Sequence, residues 1–349
     1  MTADAATAMK LETGSRVYGA YAAERLLADH PETAGRFGPN AFSSWKTNLA
    51  QRITELAAAV EVGRPEMFVT QIRWTQAAFT ARDVAVDDLR LSLECLGAVL
   101  SEQLPGAEGV VDTYVAPAIA ALATTPSPDG GLRGDSPASR VALGYLEATF
   151  AGERRKAIDV VLGAVDRGEI TVPEAYVNVL AAAEVEIGRL WHAGELNIAE
   201  EHFATSTTND VFALLHYRTT PAPSNGCTVI LAAVTGNGHD IGVRIVADLF
   251  ALAGWRAIHL GANMPAHDIA YAANAFEADL VVLSAMIGTH VRYAGDAITA
   301  VRAARPGAKI MVGGLAFDTV PDLWQTVGAD GYAASPDDAL AFGAGLVTP

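Results

Sequence analysis

Apolar residues recur at helical spacing along the first third of the chain. Leu89, Leu93, Leu96 and Leu100 fall at i, i+4, i+7 and i+11, on one face of a helix. Pro65 suits the first turn of a helix running from Met67 to Phe79. Ser44–Ala59 and Val110–Leu122 read the same way, with turn signals at Gly38-Pro39-Asn40 and Pro105-Gly106. Roughly five helices are expected over residues 1–125, as a bundle or a globin-like domain. Four further helical segments fall near 139–151, 153–168, 172–193 and 198–218. Pro173 opens the third and Gly194 closes it, while Asn197 with Glu200 forms a capping box for the fourth. From residue 227 the period changes. Short β-branched runs near 227–235, 256–260, 279–285, 308–313 and 331–334 alternate with helical stretches. That alternation predicts a parallel, flavodoxin-like (Rossmann-like) α/β sheet.

Two stretches rich in Pro, Gly and Ser divide these regions. The expected order is an all-α domain over 1–125, a linker over 126–138, a four-helix bundle over 139–219, a short linker over 220–226 and an α/β domain over 227–349. Composition narrows the function. The chain has 349 residues, 51% of them hydrophobic, enough for several packed cores. Its 24 Lys and Arg against 40 Asp and Glu leave a formal charge of −16, and no basic run or cluster stands out. A surface tracking nucleic-acid phosphates is therefore not expected. Cys95 and Cys227 are too far apart in sequence to suggest a disulfide framework or a metal clip. With no leader-like start and no apolar run of spanning length, a soluble, cytoplasmic chain without a membrane partner is expected.

Candidate chemistry centres on Gly236-Asn237-Gly238-His239-Asp240-Ile241-Gly242, a glycine-rich loop between a predicted strand and a predicted helix. Its glycines do not fit the dinucleotide spacing G-x-G-x-x-G. A lone loop histidine is, by itself, more often a solvated polar residue. The loop nonetheless resembles the Asp-x-His-x-x-Gly element of the cobalamin-binding family. Ser284-Ala285-Met286 after one strand and Gly313-Gly314 after the next resemble that family's Ser-x-Leu and Gly-Gly elements. Leu260 to Pro265 and Gly328 to Tyr332 look similar too. The resemblance implies that His239 is the lower axial cobalt ligand. It also implies that Asn237, Ile241, Gly242, Ser284, Gly313 and Gly314 line the cofactor and its nucleotide tail. Asn237 departs from the family by replacing Asp: it can accept a hydrogen bond but adds no charge behind the imidazole.

The preceding bundle carries Trp191 and, after nine intervening residues, Glu201-His202. Taken alone these are core packing and a wet helix start. Together the Trp-x9-Glu-His pattern is similar to the CarH-type cobalamin photoreceptors. That resemblance implies adenosylcobalamin as cofactor, with Trp191 and Glu201 on its upper ligand and His202 binding cobalt once light removes that ligand. The DNA-binding domain of such repressors is not matched here, since residues 1–125 are acid-rich and lack a basic recognition helix. The layout instead resembles photocobilins, which add a noncovalent biliverdin. Phe68, Trp74, Phe79 and Tyr114 either line a planar-ligand pocket or, as favoured, fill a core; His30 is too isolated to count as a ligand, and a covalent link through Cys95 is not expected. The leading expectation is a non-enzymatic light sensor that forms a homo-oligomer with light-dependent association and signals to an effector protein. The alternative is a corrinoid carrier of a methyltransferase system. A radical mutase lacks chain for its barrel, and a cofactor-free signalling module would leave His239, Trp191 and His202 incidental.

Overall fold

The computed structural model describes residues 3–106, 108–124, 132–320 and 322–347. Contacts divide the chain into two compact units. The first is built on α1 (Ala3–Asp29), α2 (Pro31–Phe37), α3 (Ala41–Val62), α4 (Pro65–Ala81) and α5 (Val86–Gln103). It closes with α6 (Glu108–Val110) and α7 (Ala116–Ala121), joined by one wide π-helical stretch, Val111–Val115. The periodic leucines behave as their spacing predicts: Leu89, Leu93, Leu96 and Leu100 are all fully buried, with Leu49, Ile53 and Phe68. Small residues let α1 lie close against α3. A Cβ at Gly19 would come within 2.8 Å of the Ala50 main chain, so only glycine fits there. One buried carboxylate in this core is fully paired, as burial favours. Thr33 donates to the buried Asp88 at 2.7 Å, and Arg36 binds the same carboxylate.

The second unit joins the bundle to the sheet. Its helices are α8 (Pro137–Phe150), α9 (Arg154–Asp166), the run of α10 (Val172–Glu174), a π stretch (Ala175–Ala181) and α11 (Ala182–His192), then α12 (Ile198–Arg218). Residues 126–131 of the expected first linker lie outside the described residues. The first bundle helix starts earlier than residue 139, because Ser136 caps it by accepting the Ser139 N–H at 3.0 Å and Pro137 fits its first turn. Both predicted capping features hold: Pro173 sits in a first turn and Asn197 pairs with Glu200 in a capping box.

Five parallel strands follow, β1 (Thr228–Ala233), β2 (Arg256–His259), β3 (Leu280–Ser284), β4 (Lys309–Gly313) and β5 (Gly331–Ala333), in the order β2-β1-β3-β4-β5. Between them run α13 (Ile241–Leu252), α14 (Ala266–Ala275), α15 (Val291–Ala304), α16 (Leu315–Asp318) and α17 (Leu323–Thr326), with α18 (Pro336–Val347) last. Strand β1 is buried on both faces along its length, which accounts for its unbroken apolar run. Register pairs Ala233 with Ser284, Ser284 with Gly313 and Gly313 with Ala333. The carboxyl ends of four strands therefore stand in one row, at the edge where open α/β sheets carry their sites.

Candidate functional site

The loop from β1 to α13 is pinned to that row by one buried amide. Asn237 is fully buried. Its Oδ1 accepts the main-chain N–H of His239 at 3.1 Å, and its Nδ2 donates to the Ser284 carbonyl at 3.0 Å. A second asparagine closes the loop from β2: Asn263 donates its N–H to the Asn237 carbonyl at 2.9 Å and accepts the Gly236 N–H at 2.7 Å. Asn263 holds a left-handed φ of 53° to do so, a conformation that Asn tolerates better than most residues. The imidazole of His239 stands exposed beyond this frame. Asn237 thus does a different job from the one expected at its position. Both ends of its amide are taken by main chain, so it shapes the loop instead of backing the imidazole.

The other residues singled out on the sheet side fall along the same edge. Ser284 ends β3, and its carbonyl also accepts the Val234 N–H at 3.1 Å. At Gly313 a Cβ would lie 3.0 Å from the Ala333 carbonyl. At Gly314, with φ of 94°, it would lie 2.5 Å from the Ala285 carbonyl. Both positions are glycine because neighbouring backbone leaves no room for a side chain. By contrast Gly238 and Gly242 face open space. Ile241 packs against the bundle core.

On the bundle side, Gly194 adopts φ of 74° and reverses the chain between α11 and α12. Trp191 ends one arm of this hairpin and is 37% exposed. Leu196 tucks into the bundle core. Asn197 Oδ1 then accepts the N–H groups of Ala199 and Glu200 at 2.8 and 3.1 Å, and Glu200 returns to the Asn197 N–H at 2.9 Å. One turn in, Glu201 hydrogen-bonds His202 Nδ1 and accepts from Thr205 at 2.9 Å. The carboxylate fixes the ring and leaves its other nitrogen, Nε2, directed away from the pair. The side chain of His202 is 72% exposed.

Three features escaped the sequence pattern. Beneath Glu201 lies a buried polar chain in which the Tyr145 hydroxyl meets Thr208 Oγ1 at 2.7 Å and Thr208 donates to Glu184. Burial pushes the Glu184 carboxyl up to about 7, with a further push from Glu201, against the Thr208 bond. The helix that follows the His239 loop is also tied to the bundle. Arg244 donates to Asn209 at 2.7 Å and lies over Phe212, which stacks on Tyr176. Asp248 pairs with His216 at 3.2 Å while Ile245 and Leu249 enter the bundle core. Burial raises the Asp248 carboxyl despite that partner. Finally, the sequence contains a basic run, Arg154-Arg155-Lys156, and the fold sets Arg140 and Arg167 along the same cleft, correcting the expectation of no basic cluster. Each of the other contacts depends on which turn of one helix faces another, which periodicity alone does not specify.

The chemistry of the donor set can be tested against a cofactor. His239 and His202 are single imidazoles, and no three metal-binding side chains group together among the described residues. A lone exposed histidine suits one axial position on a metal whose other ligands come from a ring, rather than a metal held by protein alone. Open space at Gly238 and Gly242 fits a bulky ring beside the histidine loop.

Comparison with known proteins bears on the same region. A family model described as B12 binding domain matches residues 227–341, and another of that description matches residues 142–216. Dimethylamine corrinoid protein 1 of Methanosarcina acetivorans is 30% identical over 190 residues, 52% of this chain and 88% of that protein. The HTH-type transcriptional repressor CarH of Myxococcus xanthus is 29% identical over 175 residues, 49% of this chain and 56% of its own length. The structure of the Methanosarcina barkeri monomethylamine corrinoid protein superposes with a TM-score of 0.50 at 18% identity, covering 58% of this chain and 96% of that one. That likeness is one of fold.

Proposed function

The chain belongs to the B12-binding family of corrinoid proteins, and on that premise we propose that its cofactor site serves as a light-operated switch. A bound alkylcobalamin such as adenosylcobalamin supplies a cobalt–carbon bond weak enough for visible light to break. In this reading His239 would hold the cobalt, and Ser284, Gly313 and Gly314 would line the strand ends beside the nucleotide tail. Trp191 and Glu201 meet the upper ligand. His202, oriented by Glu201, would be the second histidine available to the cobalt.

The Glu201–His202 pair on the capped start of α12 carries the proposal. A histidine with one nitrogen held by a carboxylate is a prepared metal ligand, and a protein that only presents cobalt to a partner enzyme has no need of one there. The output is a change of association between copies or with an effector protein, through a two-state element biased by the ligand bond. Biliverdin is not part of this reading. Phe68 and Tyr114 are core residues, Trp74 is 45% exposed and Phe79 sets its edge against Trp45 at 6.0 Å, which supports the core-filling alternative for these aromatics. Cys95 is buried, and that burial pushes its thiol up, away from reactivity.

A second reading, a corrinoid carrier of a methyltransferase system, is favoured by the 30% identity to a dimethylamine corrinoid protein over most of that protein's length. One experiment separates the two. The chain is reconstituted with adenosylcobalamin in the dark, and its absorption is recorded before and after a green-light pulse. A lasting shift to a bis-histidine spectrum, lost in His202→Ala, supports the switch. Photolysis no different from that of the free cofactor supports the carrier.

A further inference from the structure

Between α8 and α9 the bundle surface holds a cleft of about 1100 Å³. Its floor is apolar, made by Val141, Val160 and Pro137. Five cations line it, Arg140, Arg154, Arg155, Lys156 and Arg167, in a chain whose formal charge is −16. Three of them stand in the first turn of α9, which contains no acidic residue. Cations at that end of a helix oppose its dipole, so they are not there to stabilise the helix.

The five cations are not equivalent. Arg154 is committed to the bundle: it donates to Asp210 at 2.6 Å and Ser206 at 3.1 Å, and lies over Phe203. Lys156 pairs with Glu153, and Arg167 with Glu169. The guanidinium groups of Arg140 and Arg155 make no hydrogen bond or ion pair among the described residues and are exposed, one from each wall. Charges of both signs line the cleft, with Glu153, Asp159 and Glu169 among the five cations, so the excess is positive and shares the lining with apolar side chains. An apolar floor inside a mixed, net basic rim is the anatomy of a protein-docking surface. The helix beside it has 13 residues, about 20 Å, matched by roughly six residues of extended chain.

We propose that the α8–α9 cleft docks an extended segment of a partner protein in which acidic residues alternate with apolar ones. The acidic side chains pair with Arg140 and Arg155, and the apolar ones seat on Val141 and Val160. Arg154 alone of the lining cations reaches α12, and the proposal, resting on Arg140 and Arg155, does not depend on the reading of the cofactor residues.

The probe is a fluorescein-labelled peptide of alternating Glu and Leu, about eight residues long to overhang the cleft. Its anisotropy is followed against the full chain at low and at physiological salt. Saturable binding that weakens as salt rises, and that falls at least about tenfold in Arg140→Glu/Arg155→Glu, supports the proposal. Neither substitution breaks a bond that holds the bundle, and an unchanged circular dichroism melt checks this. Absence of binding at low salt, or equal binding by the double variant, overturns it. Displacement of the peptide by inorganic tripolyphosphate at equal concentration also overturns it, by assigning the cleft to small anions.

Discussion

Asn237 shows how one residue can keep a family position and change its task. Its amide is the hinge of the His239 loop, accepting from His239 N–H and donating to Ser284 carbonyl inside a fully buried site. Restoring the carboxylate usual at this position, Asn237→Asp, removes the donor and sets a charge against the Ser284 carbonyl. The apo chain should lose about 1–3 kcal/mol in a urea titration; no loss would mean that the loop rearranges around the new group. Glu184 makes a second residue-scale prediction, this one in pH. Folding raises its carboxyl from the ordinary 4.5 to about 7, so between those values the folded chain keeps a proton that the unfolded chain releases. Stability therefore falls as pH rises from about 4.5 to about 7, and the loss is complete above that. Glu184→Gln should remove that component, on the order of 1–3 kcal/mol, and flatten the melting temperature between pH 5 and 8. An unchanged pH profile would place the burial cost elsewhere.

At the scale of elements, the start of α12 matters most, because its first turns carry Glu201 and His202. The capping box there was legible in advance, since Asn followed by Glu three residues on states its own geometry. Asn197→Ala should cost about 1 kcal/mol and speed amide exchange at Ala199 and Glu200, whose N–H groups lose their acceptor; protection unchanged at those two amides would show a cap from another source. The strand positions were legible too, because short apolar runs bounded by turn residues mark where each strand lies. What the pattern did not contain is how α13 meets the bundle. Arg244 and Asp248 lie four residues apart on the face that turns toward Asn209 and His216. A polar pair at that spacing reads from sequence as solvated surface, and only packing reveals it as a join. The same limit hid Glu184, whose partner Thr208 lies on another helix.

At the scale of the whole molecule, the second unit combines two half-sites that neither sequence period could relate: a histidine loop at a sheet edge and a carboxylate-held histidine at a helix start. The helix after the first packs against the helix that begins with the second, and the proposed switch would act through that packing. No described helix is long and apolar enough to cross a membrane. Net charge was legible as acidity but not as a distribution, and the cations that the fold collects along α9 were hidden within it. The claim on which the account turns is that His239 binds cobalt. The direct measurement is the electron paramagnetic resonance spectrum of the chain reconstituted with cob(II)alamin, with its histidines carrying heavy nitrogen. The three-line splitting from an axial nitrogen should become two-line on labelling, and the labelled His239→Ala chain should no longer show it. A three-line pattern indifferent to the label would mean that the cofactor keeps its own base, and would contradict the role given to His239.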